Sequence, residues 1–281
     1  MNYSNVLKGT VAACMLALPV QMASAEGLSQ KAQESGLKVA FFNFQPYSYE
    51  GEDGTLTGTD VDTLRAVLEA MDATIDTAQA TEWGALIPGL RAGRFDVVAA
   101  GMFVTPERCA QVTFSEPIFG IPQTLVVLKD NPNGITGYED VAAKGLTIAV
   151  LAGSAQAAHA RDAGVEEAKI MEIPDNATAI AAMRAGRADA YGLATPGGRN
   201  LVAGVPEQDF EMIEPFSEVA GKNAMAHGAF AFRQEDAAFV EEFNKILTNR
   251  IEDGSHVAVL EAHGMDAAEM PLLSTAELCG G

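Results

Sequence analysis

Trp83–Pro117 reads WGALIPGLRAGRFDVVAAGMFVTPERCAQVTFSEP. Its grammar is that of an α/β unit: a helix that stops at Gly93, an apolar strand from Phe95 to Ala100, and a loop carrying Phe103 and Arg108. Glycine suits the left-handed position that ends a helix. An unbroken apolar run after it reads as a buried strand of a parallel sheet. Ligands of open α/β sheets sit beyond the carboxyl ends of such strands. Arg108 there offers a rigid fork of donors for a carboxylate, and Trp83 and Phe103 offer flat faces to whatever that carboxylate is attached to. The stretch points to capture of a small zwitterion.

The same grammar occurs twice. Leu90-Arg-Ala-Gly-Arg-Phe-Asp-Val97 is echoed by Met183-Arg-Ala-Gly-Arg-Ala-Asp-Ala190, and upstream strand openers, Leu37–Phe42 and Leu146–Leu151, precede them in the same order. Two α/β lobes of similar plan follow. Asp60–Met71 places Val61, Leu64, Val67 and Leu68 on one helical face, and Thr178–Ala185 and Asp236–Glu252 behave likewise. Lys129-Asp-Asn-Pro-Asn-Gly134 is a turn-rich break after the strand Thr124–Leu128. A further apolar run covers Ala224–Phe232. The simplest path crosses between lobes near residues 127 and 228. It gives a first lobe of 26–126 and 229–281 and a second of 127–228. Two connecting strands then make a hinge with a cleft between the lobes.

The leading residues fall outside this plan. Lys8 carries the early positive charge, Gly9–Val20 is apolar, and Ala23-Ser24-Ala25 has the form of a signal-peptidase site. Residues 1–25 read as an export signal, with Glu26 opening the mature chain. Val11-Ala-Ala-Cys14 offers a rival lipid-attachment box, but the apolar run continues past Cys14 to Val20. The 281-residue sequence carries a formal charge of −20, one unit more negative once Lys8 leaves. Such a surface repels nucleic acid and anionic membranes. Cys109 and Cys279, exported to an oxidising compartment, form a candidate disulfide, against the alternative of two free thiols. Neither they nor the four histidines have the spacing of a metal site.

Gly58-Thr-Asp-Val-Asp62 opening a helix, Gly93-Arg-Phe-Asp-Val97, Gly101-Met-Phe-Val-Thr-Pro-Glu-Arg108, Phe114-Ser-Glu-Pro117 and Gly186-Arg-Ala-Asp-Ala190 together carry a resemblance. The chain resembles the periplasmic solute-binding proteins of ABC importers, polar amino-acid group (family 3), over essentially the whole mature length. Trp83-Gly-Ala-Leu-Ile-Pro-Gly-Leu90 and the run from Ala99 to Cys109 look most like the ectoine/hydroxyectoine-binding members. The resemblance implies the type II two-lobed periplasmic-binding-protein fold, with the ligand in the inter-lobe cleft. It also implies a monomer without cofactor, handing a zwitterionic solute to the transmembrane subunits of an ABC permease. This fold has also been converted to dehydratase-type chemistry, which would need a general acid or base in the cleft.

The family pattern assigns Arg108 to the ligand carboxylate. It sets Ser154, in Gly153-Ser-Ala, against the same group at a helix N-terminus, where the bland alternative is a simple cap. Two departures argue against an ordinary α-amino acid, which with other zwitterions stays as the alternative ligand. Phe103 stands two residues after Gly101, where amino-acid binders usually carry threonine or serine. Ala194 stands where they commonly carry the aspartate that pairs with the ammonium, and an unpaired buried ammonium is costly. Tyr47, Trp83 and Phe103 then form a candidate cage for a diffuse cation such as ectoine's amidinium ring, each ring worth ~0.5–2 kcal/mol. Phe44 stands where the ectoine reading expects an acidic residue. It joins the cage or serves as a plain strand residue, and a betaine is the competing ligand. Thr195 and Asn176 are second-lobe candidates that could equally be turn or cap residues. Asp60 and Asp62 complement a helix dipole, and Asp60 is expected to brace the cleft.

Overall fold

The computed structural model describes residues 23–51 and 53–280. The expected export signal falls almost wholly outside them, as does the Val11–Cys14 alternative.

Two five-stranded sheets organise the described chain. The first orders its strands Ile75–Ala80, Leu37–Phe41, Val97–Val98, Ala231–Phe232, Thr113–Phe114. The first three are parallel, and Ala231–Phe232 is antiparallel to both its neighbours. The second runs Ile170–Ile173, Ile148–Leu151, Ala190–Ala194, Gln123–Leu128, Phe210–Met212, with the parallel strands again on one side and antiparallel pairs on the other. The sequence echo is therefore a structural one. Gly93 and Gly186 both stop their helices in the left-handed region, at φ 68° and 64°, and each hands the chain to a central parallel strand.

The lobes are joined by Phe119–Ile121 and Ala226–Gly228, which pair antiparallel with Gly120 opposite His227. Gln123–Leu128 already pairs within the second sheet, so the boundary read from the sequence at residue 127 moves back to the residues before Gln123. The turn at Lys129–Gly134 ends that strand and is not the lobe crossing.

The helix Thr59–Ala70 buries Val61, Leu64, Val67 and Leu68, each worth about 1.5–3 kcal/mol on leaving water. They meet Leu37 and Val39 of the sheet, and Phe239, Phe243 and Leu247 of the returning helix Ala237–Glu252. A second core, with Val127, Tyr138, Ile148 and Val150, lies inside the second lobe. A third is shared. It joins Phe42, Val98 and Met102 of the first lobe to Leu151, Tyr191 and Leu193 of the second, so the two lobes are packed together across the cleft.

Cys109 and Cys279 are joined, with Cα atoms 5.8 Å apart across a sequence separation of 170. Closing so long a loop restricts the unfolded chain and contributes about 2–5 kcal/mol to stability.

Candidate functional site

Where the carboxyl ends of the central strands of both lobes meet, a partly enclosed cavity forms. Its lining includes Phe44, Tyr47, Trp83, Gly101 and Phe103 from the first lobe, and Leu151, Ser154, Gln156, Gly192, Leu193 and Ala194 from the second. It leaves about 30 Å³ for water-molecule centres, where one buried water needs roughly 10–15 Å³ by that measure.

The aromatic wall is continuous. Phe42 stacks edge-on with Trp83 at 5.9 Å between centroids and with Phe44 at 6.2 Å. Phe44 meets Tyr47 at 5.8 Å, and Tyr47 meets Phe119 at 5.4 Å. Phe44 lies in the wall itself and spans the cleft, since a Cβ added at Gly197 of the second lobe would lie 2.8 Å from its ring. Tyr47 is buried. Its phenol is raised far above the ordinary range, first by burial and then by the charges of Asp60 and Glu269, against a lowering bond from the Gly197 backbone.

Gly101 must be glycine twice over. Its φ is +63°, and a Cβ there would sit 2.7 Å from the Tyr47 ring. Its N–H donates to Asp60 Oδ2 at 2.6 Å. Asp60 thus holds the turn on which Tyr47 rests and does not line the cavity. Burial raises the Asp60 carboxyl from 3.8 to about 6, opposed by the Gly101 N–H and the Thr59 hydroxyl. A folded pKa above the unfolded one means the folded protein takes up this proton first as pH falls. Asp60 therefore adds stability on going from about pH 6 towards pH 4 and withdraws it as pH rises again. The stability difference between the parent and Asp60→Asn should tilt across that window by at most about 3 kcal/mol. Denaturant unfolding at several pH values measures it, and a flat difference would show an unshifted carboxyl.

Arg108 is 7% exposed and stands behind the wall. The family pattern aims its fork at a ligand. In the structure Nη1 donates to Phe103 O at 2.7 Å and Nη2 to Gly153 O at 3.0 Å, one carbonyl from each lobe. Its guanidinium also lies 5.7 Å from the Trp83 ring centroid. Trp83 Nε1 donates to the same Gly153 carbonyl at 3.4 Å. Burial lowers the Arg108 pKa to about 10, with Glu107 the sole opposing charge. No carboxylate pairs with Arg108 among the described residues, so it is a buried cation without a counter-ion, and it is not among the residues that line the cavity.

Ser154 precedes the helix Ala155–Asp162 and makes no side-chain cap bond. Its buried hydroxyl lacks a partner among the described residues, and it lines the cavity together with a helix start whose first N–H groups have no intrahelical acceptor. The capping alternative does not describe it. Thr195 and Asn176 find their partners within the fold. The Thr195 hydroxyl donates to Pro122 O at 3.0 Å, and Asn176 Oδ1 accepts the Tyr191 hydroxyl at 2.5 Å. Neither lines the cavity, and Asn176 instead faces two outer grooves.

Sequence reading missed Gln156, Leu151, Gly192 and Leu193. Gln156 Nε2 donates to Gln123 Oε1 at 3.0 Å, and Gln123 Nε2 donates to Ala224 O at 3.0 Å. This amide chain turns the Gln156 donor away and leaves its oxygen free to accept. The available signal was position: Gln156 lies two residues beyond Ser154 in the same first turn.

The family model for bacterial extracellular solute-binding proteins, family 3, matches residues 37–265. A probable amino-acid ABC transporter periplasmic-binding protein of Sinorhizobium fredii is 35% identical over 280 residues, covering 97% of this chain and 92% of that protein. The cyclohexadienyl dehydratase of Pseudomonas aeruginosa is 26% identical, covering 67% and 70%. Among solved structures, EhuB in complex with hydroxyectoine superposes with a TM-score of 0.83 at 29% identity, over 92% of this chain and 99% of that one.

Proposed function

This chain belongs to family 3 of the bacterial extracellular solute-binding proteins, and from that premise we propose that it is the receptor of an ABC importer for ectoine or 5-hydroxyectoine. Proteins of this family pass small ligands to permease subunits, and the type II fold positions the cleft for that task. The observation that carries the ligand reading is the cavity lining: four aromatic side chains, no carboxylate among the described residues, and Ala194 where an ammonium partner would stand. A compact ammonium enclosed there would be left unpaired. A delocalised amidinium is held by ring faces, while Gln156 Oε1 accepts its N–H groups in place of the acid that Phe44 displaces. Arg108, Ser154 and the helix start behind it receive the carboxylate.

The same residues disfavour an enzyme. Tyr47 is the titratable side chain in that lining, and burial keeps its phenol protonated, so the lining offers no ready general base. A betaine or polar amino acid is the second reading, favoured by Phe44 for the former and by the Sinorhizobium fredii relative for the latter.

Scanning calorimetry across a ligand panel tests the proposal. At a thousandfold excess over Kd a ligand adds about 4 kcal/mol. Ectoine or 5-hydroxyectoine should raise Tm most and glutamine not at all. A rise with glycine betaine alone, or with glutamine alone, overturns the assignment.

A further inference from the structure

We propose that the Cys109–Cys279 disulfide, with the tail segment it holds, positions Arg108 for ligand capture; the inference builds on the reading of Arg108 as the carboxylate's partner. Arg108 sits in a single-turn helix, Pro106–Cys109. So short a helix has no stability of its own. Its local bonds are to Thr105, whose carbonyl accepts the Arg108 N–H at 3.0 Å and the Cys109 N–H at 2.9 Å, and to the turn that follows, where Arg108 O accepts the Gln111 N–H at 2.8 Å and the Val112 N–H at 3.0 Å. Holding that turn in place takes further support from outside.

That outside support is a strap. Cys279 closes the helix Thr275–Leu278, whose start is fixed by reciprocal side-chain to backbone bonds between Ser274 and Glu277. The Thr275 N–H donates to Glu116 Oε2 at 3.0 Å, and its hydroxyl to Ser115 O at 2.5 Å. Ser115 is itself locked to Phe230: its N–H donates to Phe230 O at 2.9 Å, and its hydroxyl accepts the Phe230 N–H at 3.1 Å. The segment 274–279 thus clasps the turn between Cys109 and Ser115. Leu278 and both cysteines pack on the buried cluster that contains Val112 and Phe114.

The covalent anchor is the residue after Arg108. A fork that must meet a carboxylate with two donors needs its backbone held within a fraction of an ångström. Ordering that backbone before the ligand arrives removes the cost from binding.

The test uses the full chain, oxidised or reduced with a phosphine, beside Cys279→Ser and Thr275→Val. The last variant loosens the strap with the disulfide intact, should the cysteine variant fold poorly. Amide hydrogen exchange over residues 105–112 is read without ligand, and affinity for 5-hydroxyectoine by calorimetric titration. Reduction should speed exchange in that segment and weaken binding about tenfold. Cys279→Ser should match the reduced protein, and its effect should shrink in an Arg108→Lys background, which general loosening would not produce. Unchanged exchange on reduction overturns the proposal, and so does faster exchange with unchanged affinity. If the oxidised protein binds no zwitterion while exchange still responds to reduction, the strap's hold on Arg108 stands and the ligand reading falls.

Discussion

Replacing Arg108 with alanine is expected to weaken zwitterion binding by about 30-fold to 4,000-fold, the 2–5 kcal/mol typical of removing one partner of a buried, hydrogen-bonded charge pair. The expectation follows from where the guanidinium lies. It is buried without a carboxylate partner among the described residues, tethered by two carbonyls from opposite lobes, and desolvated enough that its pKa falls to about 10. An incoming carboxylate supplies the missing counter-charge in a low-dielectric site, where ion pairs gain most. Arg108→Lys should fall between, because an ammonium keeps the charge and loses the planar fork. Calorimetric titration reads both variants. An uncharged analogue in which the carboxylate is replaced by an amide should lose little further affinity on going to Arg108→Ala. Equal losses for acid and amide would place the role of Arg108 in bridging the lobes.

Gly101→Ala is expected to cost about 2–5 kcal/mol of stability and to abolish binding. A left-handed backbone costs an alanine roughly 1–2 kcal/mol, and overpacking a closed site adds about 1–3. The added methyl would lie 2.7 Å from ring carbons of Tyr47, which is buried against Phe119 and cannot retreat. Any shift of the Gly101 turn also disturbs the 2.6 Å bond to Asp60. Chemical denaturation measures the first effect. A variant with native stability and native affinity would show that the turn has room.

The fold was legible because its units repeat. The two Arg-Ala-Gly-Arg segments and their strand openers mark equivalent helix stops and parallel strands, and family membership follows from motifs spread over both lobes. The lobe crossing was harder to read. Gln123–Leu128 is continuous in composition with Phe119–Ile121, and hydrophobic patterning does not say which sheet a buried strand joins. At the site, Tyr47, Trp83, Gly101, Phe103 and Ser154 are brought to one cavity with Phe44. Those residues were legible because aromatic and special-backbone positions are rare. Thr195 and Asn176 stayed open between ligand and turn or cap roles because short polar side chains at helix starts satisfy local backbone and neighbours as readily as ligands. Leu151, Gly192 and Leu193 are ordinary core types, and only the closed packing of the lobes reveals which of them face the cleft.

Trp83 is the single tryptophan of the chain and stands in the cavity wall, so its emission reports directly on occupancy. Titrating the purified protein with 5-hydroxyectoine and, separately, with glutamine should give a saturable change in Trp83 fluorescence with the first and none with the second. Saturation with glutamine, and no response to 5-hydroxyectoine, would contradict the reading of the cavity as a cage for a delocalised cation.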